Sequence, residues 1–309
     1  MEQSRSNIPC SIRHFALIPV HASFITSIAF SQTGREFATG QGYPSFLKLW
    51  DSNTHTELIT CNGHKDAISS VAFSPDSKII VSGSNDKTIK AWDTKTGYEQ
   101  TTFGGHSDSI SSVVFTPDGT TVLSGSNDRS IKAWDVLTGR ELISLDACRP
   151  VSSIALSPDG SQLVSGDYDG NIKLWNTKTW KHECFYSIKG EGVTSVAFSP
   201  NGKIIAFIGA DEVVRFWDIT TLREVLSFFS GDGSPFIAFH PNGEIIASAC
   251  FHEDAVIKLW DTRTGQIIQK VVGKTETVNS IVFSPNGDFL ACCGGGTEAT
   301  IELWKLSLR

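Results

Sequence analysis

The chain has 309 residues, 40% of them hydrophobic and 19% charged, with a formal net charge of -7. Such a composition packs into a globular core, and the acid excess disfavours long-range attraction to nucleic acid or to an anionic membrane. No run approaches the roughly 20 apolar residues of a membrane-spanning helix, and the seven cysteines form no CxxC pair, so the expectation is a cytoplasmic protein without membrane insertion.

Residues 1–11 read as a short tail, and "RHFALI" at 13–18 is the first strand-like run. From there one sentence recurs: an alternating run such as "ISSVAF", a turn, a second short apolar run, another turn, "IKLW", a third turn and a last run. Trp50, Trp92, Trp134, Trp175, Trp217, Trp260 and Trp304 mark the period, which stays near 42 residues, and each period carries four strand signals. The turns "SPDS" at 74, "TPDG" at 116, "SPDG" at 157, "SPNG" at 199, "HPNG" at 240 and "SPNG" at 284 set Pro at the second position and suit a tight reversal. After Trp304 only "KLSLR" remains, so the last period is one strand short while the first is preceded by a spare one. No segment shows a capped apolar pattern at helical spacing, which predicts an all-β chain.

"SGSNDKTIKAWD" at 82 and "SGSNDRSIKAWD" at 124 share ten of twelve letters. With the Trp-Asp ends at 50, 92, 134, 217 and 260 and the Gly-His pairs at 63 and 105, the chain resembles the WD-repeat β-propellers. The resemblance covers residues 12–309 as one domain and implies seven blades of four antiparallel strands, with the N-terminal strand completing the C-terminal blade. It also implies that His64, Ser82, Asp86 and Trp92, and likewise His106, Ser124, Asp128 and Trp134, form structural hydrogen-bond networks. Read without the family, Ser, His and Asp invite a nucleophilic triad. The set occurs twice and no oxyanion motif accompanies it, so no catalytic residue is assigned.

Other repeats lose members of the set. Ala147, Lys189, Ser230 and Lys274 stand at the His place, Pro44 and Glu298 at the Asp place, and Phe207 at the Ser place, while Asp169, Asp211 and Asp254 are kept. This pattern puts the stiffest part of the ring in blades 2 and 3.

In this family the loops entering the first strand and joining the second to the third rim the channel mouth and receive peptides or protein partners. Carried onto this chain, the mouth positions are mostly small and polar, which singles out Phe24, Tyr43 and Tyr168 as aromatic anchors and Asn85 and Asn127 as backbone-binding amides. The first-repeat stretch "GQGYPSF" carries an extra residue and a Pro, so its loop is expected to bulge over the mouth. Two places after the His position stand Asp66, Asp108, Glu191, Asp232 and Glu276, with Ser23 and Arg149 completing the seven. Five carboxylates on one rim favour a basic segment.

The function expected is therefore a non-enzymatic interaction scaffold for a protein or peptide. The alternatives are a propeller-based hydrolase or lectin-like small-ligand binder, and a subunit of a larger assembly that uses its blade sides and Trp180. No cofactor or metal is expected: His14, His55, His182, His240 and His252 lack ligand spacing, and "CCGGGTEAT" lacks the Lys of a phosphate-binding loop. The oligomeric state carries no sequence signal.

Overall fold

The computed structural model describes residues 8–20, 22–188, 191–231, 233, 235–249, 255–296 and 298–308. Every element among them is a strand, and the strands form seven four-stranded antiparallel sheets. Blade 1 is β2(Ile25–Phe30), β3(Glu36–Gln41), β4(Leu47–Asp51) and β5(Glu57–Cys61). Blades 2 to 6 repeat the order first to fourth strand, from β6(Ile68–Phe73) through β25(Ile267–Val272). Blade 7 is β26(Ser280–Phe283), β27(Phe289–Gly294) and β28(Ala299–Leu308), with β1(Cys10–Val20) as its outermost strand.

The core is divided among the seams between blades. Among the described residues there are seven apolar clusters, and each contains one of the seven repeat tryptophans. Trp92 of blade 2, for instance, packs with Ala38, Leu47 and Leu49 of blade 1 and with Ile68, Val71 and Ile80 of its own sheet. One strand face alone cannot bury an indole; two facing sheets can.

At the lower ends of the blades, the reversal after each first strand leans on its neighbour. Gly119, Gly160, Gly202, Gly243 and Gly34 lie over Pro75, Pro117, Pro158, Pro200 and Pro285 of the preceding blade, the last of these spanning the closure from blade 7 to blade 1. Between blades 1 and 2 both partners differ. Gln32 stands where proline would, Ser77 adopts φ 59° where glycine would, and the Gln32 N–H, which proline lacks, donates to Ser77 Oγ at 3.0 Å.

Ring closure follows the sequence expectation, but the clasp strand is longer than 13–18. It pairs with β28 from Cys10↔Leu308 to Val20↔Ala299, interrupted by a bulge at Phe15. The bulge swaps the faces of the strand, so even-numbered residues serve two seams. Ile12 enters the cluster between blades 6 and 7, whereas Ile18 and Val20 enter the cluster between blades 7 and 1. The Gln269 side chain of blade 6 brackets the free edge, accepting from Ile12 N at 2.9 Å and donating to Ile12 O at 3.1 Å.

Deleting residues 1–20 removes all three buried side chains and uncovers the edge of β28, so thermal unfolding followed by circular dichroism is expected to shift down by more than 10 °C or to lose cooperativity. An unchanged midpoint would contradict this closure.

Candidate functional site

The two Ser/His/Asp sets are closed hydrogen-bonded chains under the upper loops. Trp92 Nε1–H donates to Ser82 Oγ (2.8 Å), the Ser82 hydroxyl donates to His64 Nε2 (2.8 Å), and His64 Nδ1–H donates to Asp86 Oδ2 (2.9 Å). Blade 3 repeats this with Trp134, Ser124, His106 and Asp128 at 2.9, 2.7 and 2.7 Å. Ser82 and Ser124 are fully buried, and each hydroxyl already accepts from an indole and donates to an imidazole. The carboxylates tie down the loop as well: Asp86 accepts from Lys65 N, and Asp128 from Ser107 N.

Burial alone would raise the Asp86 pKa, but bonds from His64, Thr88 and Lys65 N–H outweigh it and hold the carboxyl below its ordinary range. The same balance, with Ser130, Ser107 and His106 as donors, lowers Asp128. Burial lowers the His106 pKa despite the Asp128 carboxylate, so the ring is kept neutral.

Above these networks the mouth residues lie where the blade order puts them, on one face. Phe24 is clamped between blades 1 and 7: a Cβ on Gly42 would fall 2.2 Å from its ring and one on Gly295 2.7 Å from its Cβ, yet 40% of the residue is exposed. Tyr43 is 76% exposed, and its carbonyl accepts from Ser23 N (2.8 Å) and Ser23 Oγ (3.0 Å), which ties the loop of the first repeat to its own blade. The peptide bond from Tyr43 to Pro44 is cis. Tyr168 is 55% exposed and stands beside Gly192 of blade 5. Asn85 is exposed, whereas Asn127 is half-buried.

Asp66, Asp108, Glu191 and Glu276 are all exposed; Asp66 and Asp108 also accept from the next backbone N–H, of Ala67 and Ser109. Asp232 lies outside the described residues. Arg149, the one cation in the series, is paired with Asp169 at 3.0 Å.

Inside the mouth is a cavity of about 790 Å³ walled by the first strands. Several polar side chains on and beside this wall bond within their blade or stitch it to the next. Thr26 donates to Gly40 O and to Ile68 O, Ser69 to Gly83 O and Ile110 O, and Asn279 Nδ2 to Ile25 O, while Ser27 and Ser70 accept from Val71 N and Val113 N. Blade 6 breaks the pattern with Pro235 and Phe236 at the two hydroxyl places, so a second aromatic ring joins Phe24 on a largely polar wall. Sequence reasoning missed Phe236; aligning "SPFIAF" at 234 under "ISSVAF" at 68 shows it.

Residues 24–231 match the family described as the IFT122 first beta-propeller, and residues 224–261 and 265–305 each match the WD domain, G-beta repeat. The chain belongs to the WD-repeat β-propeller family. A stretch of 61 residues is 36% identical to the human U5 small nuclear ribonucleoprotein 40 kDa protein, covering 20% of this chain and only 17% of that protein.

As a WD-repeat propeller the chain is uneven, and the third-strand residue two places before each tryptophan resolves the unevenness. In blades 1 to 3 it is Lys48, Lys90 and Lys132, paired with Glu57, Glu99 and Glu141 at 2.6 to 2.7 Å. Blade 4 has Ala147 at the His place and His182 at the Glu place, and Lys173 is buried with Nζ on Ala147 O at 2.5 Å. Lys258 of blade 6 donates to Ser230 O in the same way. In blade 5 Arg215 grips Asp211 and lies over the Tyr186 ring. In blade 7 the fully buried Glu302 accepts from Lys274 N and Thr275 N at 2.6 Å. The gaps expected in blades 4, 6 and 7 are thus bridged by a charged side chain reaching the same loop; Lys189 and Asp254 lie outside the described residues.

His64→Ala leaves Ser82 and Asp86 without their shared partner and is expected to destabilise by roughly 1–3 kcal/mol in denaturant unfolding. Because the folded pKa values of His106, Asp86 and Asp128 lie below their unfolded ones, the unfolded chain binds protons first on acidification. Stability should decline below about pH 6.5 as His106 contributes and more steeply below about pH 4 as the carboxylates do. A melting temperature flat from pH 8 to 3 would contradict this.

Proposed function

We propose that the chain is a non-enzymatic protein-interaction scaffold that holds a basic, extended segment of a partner protein at the channel mouth. The observation that carries this reading is the coincidence, on one rim, of exposed aromatic rings at Tyr43 and Tyr168 with exposed carboxylates around a cavity of about 790 Å³. Aromatic side chains supply contact area at low conformational cost, and carboxylates on a common rim steer a cationic segment toward it. Phe24 and Phe236 offer apolar surface deeper in the wall, Asn85 and Asn127 offer amides to a peptide backbone, and Asp66, Asp108, Glu191, Asp232 and Glu276 set the charge.

The buried state of Ser82 and Ser124 supports the non-enzymatic part, because neither hydroxyl can reach a substrate without unfolding its loop. Unpaired cysteines at 10, 61, 148, 292 and 293 support a reducing, cytoplasmic setting. Family membership supports binding of a protein rather than a small substrate, and the likeness to a ribonucleoprotein component fits a role within a multi-protein assembly reached through protein contacts.

Tyr43→Ala, Tyr168→Ala and Phe236→Ser should each weaken partner capture from native extract about fivefold or more, as expected for anchors worth over about 1 kcal/mol, with an unchanged melting temperature for the two exposed tyrosines. Capture should also fall between about 0.1 and 0.5 M salt. Undiminished recovery by all three variants would remove the mouth from consideration.

A further inference from the structure

A second surface lies on the opposite face, between blades 3 and 4. The turn from the third to the fourth strand carries Gly97, Gly139 and Gly265 in blades 2, 3 and 6, all with φ near 70°. These glycines sit flush on the preceding blade: a Cβ would come within 2.3 Å of Ile59, 2.7 Å of Thr101 and 2.9 Å of Phe228. Blade 4 places Trp180 at this position, still at φ 55°. A left-handed conformation costs a non-glycine residue about 1–2 kcal/mol, so the turn geometry is kept against the preference of the side chain.

The Cβ and ring prevent the close approach made elsewhere, and a cavity of about 410 Å³ opens between the blades. Two other repeats also replace the glycine, and there the side chain packs against a neighbour. His55 lies edge-on against Phe15 at 5.6 Å, and Leu222 packs into the core between blades 4 and 5.

The cavity has an apolar floor and an acidic rim. Leu123 and Ala133, both buried, form the floor, with Leu142 and Trp180 as walls and Leu142 about half exposed. At the channel end Gly160 of blade 4 meets Pro117 of blade 3 and closes it, so the slot opens outward. The charged groups in its lining are Asp118 and Asp159, both exposed. Hydrogen bonds from Ser157 and Ser161 hold Asp159 down at about 2, and Thr116 and Thr120 likewise lower Asp118, so both are ionised at neutral pH. No cation is among the described residues that line the slot.

We propose that the crevice between blades 3 and 4 is a second docking site, which takes a linear segment of a partner protein by seating one apolar side chain against Trp180 and Leu142 and pairing an adjacent Lys or Arg with Asp118 and Asp159. The apolar volume accepts a single leucine- to phenylalanine-sized group, and the uncompensated carboxylates select the charge beside it. The site is independent of the channel mouth.

Random peptides displayed on phage would be panned against the Tyr43→Ala/Phe236→Ser double variant, in which the mouth anchors are removed, and a synthetic consensus peptide titrated by fluorescence anisotropy. The expected consensus has Leu, Ile, Met or Phe within three residues of Lys or Arg. Its Kd should rise tenfold or more with Trp180→Gly and with Leu142→Glu, and threefold or more with Asp118→Asn/Asp159→Asn. Trp180→Gly restores the residue of three other repeats and suits the backbone; Leu142→Glu, on an exposed strand position, keeps the test open if that turn should rearrange. Absence of any consensus, a consensus lacking a basic residue, or equal binding by Trp180→Gly and Leu142→Glu would each overturn the proposal.

Discussion

The indole wedged between neighbouring sheets is the contact on which the rest of this propeller depends. Burying a tryptophan side chain removes roughly 150–250 Å² from water, worth roughly 4–6 kcal/mol as an upper bound. A polar network bond nets only about 0.5–1.5 kcal/mol. Packing therefore holds the blades together, and the Ser, His and Asp companions of Trp92 and Trp134 determine where the upper loops stand. The order of magnitudes explains why the indole recurs in all seven blades while its polar companions vary.

That variation is organised by one third-strand position. Its side chain leans outward to a glutamate where histidine fills the space beneath the loop, and turns inward where it does not. Lys173 and Lys258 bring an ammonium to a backbone carbonyl, whereas Glu302 brings a carboxylate to backbone N–H groups. The sign of the charge follows the group the loop presents, as satisfaction of buried backbone polar groups requires. Blades with different residues thus reach the same end, a loop secured from below.

The division of labour on the upper face has the same origin. Thr26, Ser27, Ser69, Ser112 and Ser153 reach the neighbouring blade, so part of the polar wall is an inter-blade weld. Tyr43 and Tyr168, the rim carboxylates, and the ring of Phe236 where blade 6 gives up its hydroxyls stand clear of that weld. On the other face, replacement of a flush glycine by Trp180 creates relief where the repeat is otherwise smooth.

The period, the four strands per blade and the turn positions were legible in the sequence, because each is a local pattern that recurs along the chain and recurrence averages out exceptions, and the closure by the N-terminal strand followed from counting one strand missing and one spare. The mouth positions could be read too, since strand order alone carries Phe24, Tyr43 and Tyr168 to one face. The length of the clasp and its bulge at Phe15 could not, because a face swap depends on the two seams the strand must fill at once. Nor could the inward turn of Lys173, which like the outward Lys132 follows an Ile and stands two places before the Trp, since the choice rests on Ala147 and His182, residues 26 positions before it and nine after. Repetition wrote the ring into the chain; contacts between strands distant in sequence decided how each blade secures its loops and where the surface is left open.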